Sequence, residues 1–216
     1  SGYAHRNRNC PAAIMRNGNE ERDWWSGLKH HGLLLGPAER KRVESDFSVQ
    51  PANEYDLQVG RRDFSRLASG EGTPGELVQT VMERLCKFRG IEAGEWQRGS
   101  AVPSSLSVRL LSGDNTKPSH LWTSVEGAQF PVFISNQKTL GIGKGRKAVS
   151  DTVQWLRRSG ARLALVTNTR QWRLIYAGLD YEAWCEWDSE LWFEEGRASS
   201  QLEGLRLLVQ PALYEN

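Results

Sequence analysis

The fold is decided by residues 146–176, which read RKAVSDTVQWLRRSGARLALVTNTRQWRLIY. Over 146–158 the apolar side chains recur at helical spacing, and Gly160 follows where a helix would end. Two short apolar runs, at 163–167 and 172–176, then predict strands. We therefore expect a helix followed by two strands, a pattern typical of α/β domains.

The segments on the N-terminal side of this stretch add further strands. Runs at 121–125 and 131–135 lie on either side of the segment 126–129, a length that suits a hairpin, and the alternation around Val108 predicts another strand. Because a helix separates the second run from the strand at 163–167, these two strands should pair in parallel. A last helix is expected at about 200–209. The predicted fold is α/β, with a mixed β-sheet flanked by helices.

The N-terminal part of the chain shows helical rather than alternating patterns. Helices are expected at 20–29, after Pro37 and, most clearly, at 74–88, where Thr73 and Glu76 form a capping box. We expect three regions in chain order: a loose N-terminal segment (1–19), a helical N-terminal region (20–98) and an α/β core with a C-terminal helix (99–216).

The composition excludes several classes of protein. Of the 216 residues, 38% are hydrophobic, which is enough for a sizeable core, and no apolar run approaches the roughly 18 residues that span a bilayer. Cys10, Cys86 and Cys185 are odd in number and widely spaced, so they indicate neither a disulfide framework nor a zinc site. We expect a cytoplasmic protein without a membrane partner. Because the chain starts at Ser1 without Met and stops at Asn216, we also expect it to be part of a longer polypeptide.

The net charge of +2 conceals two oppositely charged segments. Residues 138–173 contain nine Lys or Arg and one acid, Asp151, whereas residues 178–196 contain seven acids and no Lys or Arg. A clustered basic segment attracts phosphate, so polyanion binding is one interpretation, and a solvated helix face is the other. The glycine-rich loop at 141–145 lacks the pattern of a nucleotide-binding loop. It is better interpreted as a basic loop whose side chains meet a nucleic acid backbone.

Other candidate sites are weaker. The four His residues have neither metal-ligand spacing nor an acidic partner at helical distance, and no Gly-x-Ser-x-Gly nucleophile motif occurs. Trp residues fill protein cores and also stack on bases. Trp184, Trp187 and Trp192 lie in the acidic segment, which repels phosphate, so we expect them in the core or facing a protein partner.

One stretch resembles a known family. Gln154 on the predicted helix, then RLALVTN at 162–168 and WRLIY at 172–176, resembles the end of the PD-(D/E)XK, or restriction-endonuclease-like, fold of restriction-modification proteins. The continuation at 184–195 resembles the N-terminal regions of methyltransferase-linked phage-defence proteins of the DISARM and BREX type. The resemblance covers about residues 100–210 and is most specific in the Val-Thr-Asn and Trp-Arg-Leu motifs.

In active members of that family, a proline-aspartate opens one strand and an acid-x-lysine closes the next, and the two carboxylates hold a divalent metal. In this chain Ser119 follows the proline, while Asn136 and Lys138 occupy the second motif, so both carboxylates are missing. Neutral oxygens offset little of the dehydration cost of Mg²⁺, so we expect no metal or other cofactor. Mg²⁺ binding is expected only if another acid, Asp114 or Glu126, completes the site in a different strand register.

Three functional hypotheses follow. The leading one is a catalytically degenerate, nuclease-like domain that binds double-stranded DNA or docks within a larger restriction or phage-defence protein and its other subunits. The second is an active metal-dependent DNA endonuclease that uses Lys138 with Asp114 or Glu126. The third is a protein-interaction module that recruits a partner through the Trp-rich acidic segment. The residues expected along the phosphate path of DNA are Lys144, Arg146 and Lys147, with Gln154, Arg157 and Arg158 on the adjoining helix.

Overall fold

The computed structural model describes residues 24–46, 51–88, 94–194 and 197–213. Their helices are α1 (Pro37–Asp46), α2 (Glu54–Ala68), α3 (Pro74–Thr80), α4 (Arg146–Ser159) and α5 (Ser200–Leu208). Their strands are β1 (Lys29–His31), β2 (Glu95–Arg98), β3 (Val108–Arg109), β4 (Asn115–Thr116), β5 (His120–Thr123), β6 (Gln129–Ile134), β7 (Leu163–Thr167), β8 (Gln171–Ala177), β9 (Glu182–Asp188), β10 (Phe193–Glu194) and β11 (Arg197–Ala198).

Seven of these strands form one sheet in the order β1-β9-β8-β7-β6-β5-β2. β6 and β7 pair in parallel, with Val132 opposite Leu165, and the other neighbouring pairs are antiparallel. The four remaining strands form two small ribbons, β3 with β4 and β10 with β11. The predicted mixed α/β fold is confirmed, and so is the parallel pairing across the intervening helix.

The crossover helix α4 joins the two parallel strands. It ends at Gly160, whose φ of 80° is left-handed and whose N–H donates to the Leu156 carbonyl; glycine adopts this conformation without steric strain. The face that contains Val153, Trp155 and Leu156 is buried against β7 and β8. The helix predicted from the apolar spacing at 146–158 is therefore confirmed together with its end.

β5 and β6 form the predicted hairpin. The Ser124 N–H donates to the Ala128 carbonyl at 2.8 Å, and Gly127 takes a φ of 90° within the turn. The strand expected around residue 108 is shorter than its alternating pattern indicated, because only Val108–Arg109 pairs. Its partner is the short strand Asn115–Thr116, outside the main sheet.

The N-terminal region differs from its prediction. The helix expected at 20–29 is wrong in its described part, because residues 24–27 form a turn and Lys29–His31 form β1 along the edge of β9. The same region supplies β2, so it contributes both edge strands of the sheet. The segment 1–19, expected to be loose, lies outside the described residues.

Two helices of this region begin with side-chain caps. α3 has the predicted capping box, in which the Thr73 hydroxyl accepts from the Glu76 N–H and the Glu76 carboxylate accepts from the Thr73 N–H. The chain then continues through a π-helical turn at Val81–Leu85. α2, which the sequence reasoning did not assign, begins at Asn53, whose side chain accepts from the Asp56 N–H at 2.7 Å. The helix expected after Pro37 is confirmed as α1.

Separate apolar clusters cover the two faces of the sheet. On one face, α2, α3 and α5 pack against alternate strand residues that include Trp122, Trp172 and Trp187. On the other face, α4 packs against a cluster that includes Phe133 and Ile175. Because the side chains of a strand alternate between the two faces, β6, β7 and β8 contribute to both clusters, and α4 is the helix of the described residues that covers the second face.

Within the described residues, no helix combines the length and the apolar character needed to cross a bilayer. Cys86 and Cys185 are free and buried. Burial raises the pKa of the Cys86 thiol to about 12 and also raises that of Cys185. Both cysteines therefore stay protonated at neutral pH and lack the thiolate that reactive cysteines use.

Candidate nucleic-acid interface

A cleft of about 470 Å³ opens where β5 begins and β6 ends, and we call it the Ser119 cleft. Its walls come from the ends of these two strands, from the first turns of α4 and from the loop before α4. It brings together two residues that the resemblance singled out, Ser119 and Asn136, and two residues of the predicted basic path, Lys144 and Lys147. The polar residues that matter here are Lys117, Ser119, Asn136, Lys144, Lys147 and Asp151.

The side-chain oxygens of Ser119 and Asn136 are neutral, and both already accept hydrogen bonds from within the protein. The Ser119 hydroxyl accepts from the Ile134 N–H at 3.1 Å, and the Asn136 side-chain oxygen accepts from the Gln137 side chain at 3.0 Å. Lys138 is exposed and lies next to the cleft in sequence rather than in its lining. The structure therefore brings Ser119 and Asn136 together in one cleft, whereas Lys138 does not line it.

The loop that carries these motif residues is held by Asn168. Its side-chain nitrogen donates to the carbonyl oxygens of Gln137 and Lys138, each at 3.0 Å, and its side-chain oxygen accepts from the Gln171 N–H at 2.7 Å. The Gln171 side chain in turn accepts from the Leu140 N–H at 2.8 Å. Thus the Val-Thr-Asn motif of the resemblance positions the chain after β6.

Lys147 lies between two acids at the edge of the cleft. Its ammonium group is 2.6 Å from a carboxylate oxygen of Asp151 and 3.3 Å from one of Asp114. These hydrogen bonds, first that with Asp151, raise the pKa of Lys147. The Ser112 hydroxyl and then Lys147 lower the pKa of Asp114. Asp114 thus reaches the cleft edge as an ion-pair partner of a lysine.

Glu126, the other acid considered for the motif, is in the wrong place. It lies in the β5–β6 turn, whereas Ser119 and Asn136 lie at the open end of the same hairpin. At about 3.3 Å per residue, the length of the two strands separates Glu126 from the cleft by more than about 15 Å. Glu126 therefore cannot complete a metal site with Ser119 or Lys138.

The residues predicted along the DNA path do not share one surface. Lys144 and Lys147 line the Ser119 cleft, but Arg146, Gln154 and Arg157 line a different cleft of about 380 Å³ on the β9 side of α4. We call this second space the Trp184 cleft. Ten residues of helix, or about 15 Å, separate Lys147 from Arg157. Five of the six predicted residues are therefore divided between two clefts, and Arg158 lines neither of them.

Three side chains of that predicted path are already bonded to the protein. The Gln154 side-chain oxygen accepts from the Leu111 N–H at 2.9 Å, Arg157 donates to the Gly178 carbonyl at 2.9 Å, and Arg158 donates to the Arg109 carbonyl. These contacts attach α4 to neighbouring loops. The structure thus gives Gln154, Arg157 and Arg158 anchoring bonds within the protein.

The acidic segment neutralises part of the basic one, because β8 and β9 are antiparallel neighbours. Arg157 lies 3.4 Å from Glu182, and Arg170 lies 2.9 Å from Glu190 and 3.5 Å from Asp188. A third pair, Arg173 with Glu186, is buried at a distance of 2.6 Å, and both side chains are less than one-tenth exposed. The charge count of the sequence therefore overstates the basic surface.

Five cations of the basic segment have no carboxylate partner within 4 Å in the described part of the chain, and one of them, Arg158, donates to the Arg109 carbonyl instead. Lys144 lines the Ser119 cleft and Lys138 follows β6 next to it, while Arg146 lies across α4 in the Trp184 cleft. Arg162 is exposed at the start of β7, which is the opposite end of the sheet. The positive potential available to a ligand of the Ser119 cleft thus comes mainly from its lysines.

The Trp-rich acidic segment is largely internal. Trp187 and Trp192 are fully buried. Trp184 is half-buried, and the Arg173 guanidinium lies 3.8 Å from the centroid of its ring. The segment forms β9 and the core beneath it, so these tryptophans do not make the exposed apolar patch that the partner-recruiting hypothesis requires.

The donors of the Ser119 cleft do not fit a divalent metal. The described residues contain no group of three or more His, Cys, Asp or Glu that could hold a metal ion. Ser119 and Asn136 offer neutral oxygens, and the nearest carboxylates, Asp114 and Asp151, contact the Lys147 ammonium. Hard cations such as Mg²⁺ favour carboxylate oxygens. Here the Lys147 ammonium group contacts those oxygens instead of a metal ion.

Two cleft residues were not foreseen as functional. Lys117 directly precedes the motif proline, and Asp151 lies four residues after Lys147 on α4. The i, i+4 spacing in a helix brings two such side chains together, so the Lys147–Asp151 contact had a signal in the sequence. For Lys117, adjacency to the motif was the available signal.

The chain was also compared with protein-family models, with curated proteins and with solved structures, and none of them matches it.

Proposed function

We propose that this chain is a nuclease-like domain without a functional metal site, which binds double-stranded DNA at the Ser119 cleft. The observation that carries the proposal is the meeting of Ser119 and Asn136 with Lys144 and Lys147 in one cleft. A setting in a bacterial restriction-modification or phage-defence protein, with the rest of a longer polypeptide or other subunits as partners, is supported only by the resemblance of residues 100–210.

The strand geometry supports this proposal. The resembled motif requires one residue at the opening of a strand and another at the close of the next. Ser119 directly precedes β5 and Asn136 follows β6, and the two strands are antiparallel neighbours. The motif positions therefore meet at one end of a hairpin, although neutral side chains occupy both.

The local charges support DNA rather than a metal as the ligand. Three lysines, Lys117, Lys144 and Lys147, stand against Asp151 in the cleft lining and Asp114 at its edge. Lysine ammonium groups contact phosphates as point charges, and each contact releases counterions. Binding should therefore weaken with salt, with a logarithmic slope near −0.9 for each phosphate contact on duplex DNA.

The test is fluorescence anisotropy of a labelled DNA duplex, titrated with the protein in the absence of metal at several salt concentrations. The variant is Lys144→Glu, because Lys144 is exposed and has no carboxylate partner in the described residues. Its matched control is Arg162→Glu, which removes a cation of the same basic segment at the far end of the sheet. We expect Lys144→Glu to weaken binding about tenfold, as for loss of a phosphate contact, and the control to bind nearly as wild type does.

Absence of binding by the wild-type protein at low salt would overturn the proposal. Equal losses in Lys144→Glu and Arg162→Glu would also contradict it, because they would indicate a general charge effect without a site. The comparison of the two variants thus distinguishes a specific contact of Lys144 with DNA from a general effect of the positive charge of residues 138–173.

A second candidate function, a metal-dependent endonuclease, would require Asp114 and Asp151 to exchange their contacts with Lys147 for a metal ion. The carboxylates of Asp114 and Asp151 both contact Lys147 beside the Ser119 cleft. If they serve catalysis, plasmid cleavage in Mg²⁺ or Mn²⁺ should disappear in Asp151→Asn and in Lys138→Ala. The absence of cleavage by wild type with either metal would remove this candidate.

A further inference from the structure

A second basic cleft adjoins the Ser119 cleft on the α3 side of the sheet. It has a volume of about 620 Å³, and we call it the His120 cleft. Lys117 and Ser119 line both clefts, so the two spaces meet where the chain enters β5. Its other charged or titratable residues are Arg98, His120 and Glu76.

The pairing of β2 with β5 places two of these residues side by side. Arg98 and His120 are direct partners in the antiparallel register, and directly opposed residues project from the same face of a sheet. Arg98 is exposed and has no carboxylate within 4 Å among the described residues. A positive side chain is therefore held at the end of the sheet beside the histidine.

His120 is an unusual component of this cleft. Only 3% of the residue is exposed, and neither ring nitrogen has a hydrogen-bond partner in the described structure. Burial lowers the pKa of His120 and the nearby Arg98 lowers it further, while the Gly75 backbone acts in the opposite direction. A buried N–H without a well-formed hydrogen bond costs free energy, which a ligand oxygen would recover.

Glu76, the acid in this cleft, caps the start of α3. The Glu76 carboxylate accepts from the Thr73 N–H at 2.9 Å as part of the α3 capping box. This hydrogen bond, followed by that with the Thr73 hydroxyl, lowers the pKa of Glu76. The groups that face His120 are then Arg98 from β2, Glu76 from α3 and Lys117 from the preceding segment, and two of these three are cations.

We infer that the His120 cleft is a second phosphate-binding subsite for the same DNA, with Arg98 and Lys117 as charge partners and His120 as a hydrogen-bond donor at its floor. A DNA strand that crosses the end of β5 and β6 passes from the Ser119 cleft to the His120 cleft around Ser119. This inference rests on the proposed function, since it extends the same binding surface past the motif position.

The first experiment compares Arg98→Glu with Arg162→Glu in the duplex-DNA anisotropy titration. Both variants make the same charge change at exposed arginines, but only Arg98 lies at the subsite. We expect Arg98→Glu to weaken binding about tenfold and to reduce the logarithmic salt slope by about 1. The Arg162→Glu variant should keep the wild-type slope.

The second experiment tests His120 through pH. Phosphate favours the protonated imidazole, so wild-type affinity should rise as pH falls from about 7.5 to about 5.5. In His120→Phe this rise should be reduced severalfold relative to wild type. The other histidines are unchanged in that variant, so they contribute equally to both titrations.

The outcomes separate the two proposals. If wild type does not bind DNA, the proposed function fails and the subsite fails with it. If Lys144→Glu weakens binding but Arg98→Glu behaves as Arg162→Glu does, the subsite alone is overturned. An unchanged pH dependence in a folded His120→Phe protein would remove the role of His120 even if Arg98 is required.

Discussion

Two groups of cations from the same segment, 138–173, have different surroundings in the folded protein. Arg157, Arg170 and Arg173 pair with acids of the β9 segment. Lys138 and Lys144 lie at the end of β6 and before α4, where those acids do not reach. The difference arises because Arg170 and Arg173 lie next to the β9 segment and Arg157 reaches Glu182 from α4, whereas the loop after β6 lies at the cleft.

The comparison shows that a run of charges in a sequence is not yet a charged surface. An arginine on a strand next to an acidic strand is neutralised by its neighbour, and this reduces the field that a phosphate would feel. A lysine in a loop at the strand ends keeps its charge available. Charge density should therefore be counted after the sheet order is known.

The largest expected effect comes from breaking the buried member of the paired group. Glu186→Ala leaves Arg173 buried without its carboxylate, and we expect a loss of about 3–5 kcal/mol in the free energy of unfolding. Urea denaturation measures it. The double variant Arg173→Met/Glu186→Leu should recover most of the loss, because both charges are then removed. A single-variant loss below about 1 kcal/mol would contradict a buried ion pair.

The next effect concerns the loop that carries the unpaired lysines. Asn168→Asp replaces an amide donor by an acceptor opposite the carbonyls of Gln137 and Lys138. We expect a loss of about 1–3 kcal/mol, which thermal or urea unfolding would measure. The control is Asn115→Asp, at an exposed position of β4. Equal stability of the two variants would show that Asn168 does not hold the loop.

A third prediction uses His120, a buried basic group without a charge partner. Its pKa is lowered from the ordinary value of 6.5, so below pH 6.5 the unfolded chain binds more protons than the folded one. The free energy of unfolding should then fall as pH is lowered through this window, by at most about 1.4 kcal/mol per pH unit. Wild type and His120→Phe can be compared by urea denaturation. Parallel pH profiles would refute this assignment.

The smallest effect is expected at the exposed member of the paired group. Glu190→Gln removes a partner of Arg170, but both side chains are more than half exposed. We expect a stability change below about 1 kcal/mol. Urea denaturation measures it, and Glu190→Ala, which makes the same substitution as Glu186→Ala at the exposed pair, isolates the effect of burial. Similar losses in both would mean that burial does not distinguish these pairs.

Part of this architecture follows from local pattern. The spacing of apolar residues and Gly160 predict α4 and its end, Thr73 and Glu76 predict the start of α3, and the loop length predicts the β5–β6 hairpin. Each depends on residues close together in the chain, so the physical signal is contained in a short stretch of sequence. The parallel pairing of β6 with β7 follows from the helix between them.

Other elements lacked such a signal. β1 reads Lys-His-His and is exposed, so it has no alternating pattern and becomes a strand because β9 offers a free edge. β2 was assigned to a helical region, although its residues pair with β5. Edge strands of three or four residues depend on a partner that is distant in sequence.

The sequence by itself determined the α/β class, the crossover helix and the neutral side chains of Ser119 and Asn136. Only the tertiary structure decided that these two residues share a cleft with Lys144, that Glu126 lies at the far end of the hairpin, and that acids of the β9 segment pair with Arg157, Arg170 and Arg173. The reason is that helix periods and turn lengths are local, whereas ion pairs and clefts depend on which strands become neighbours.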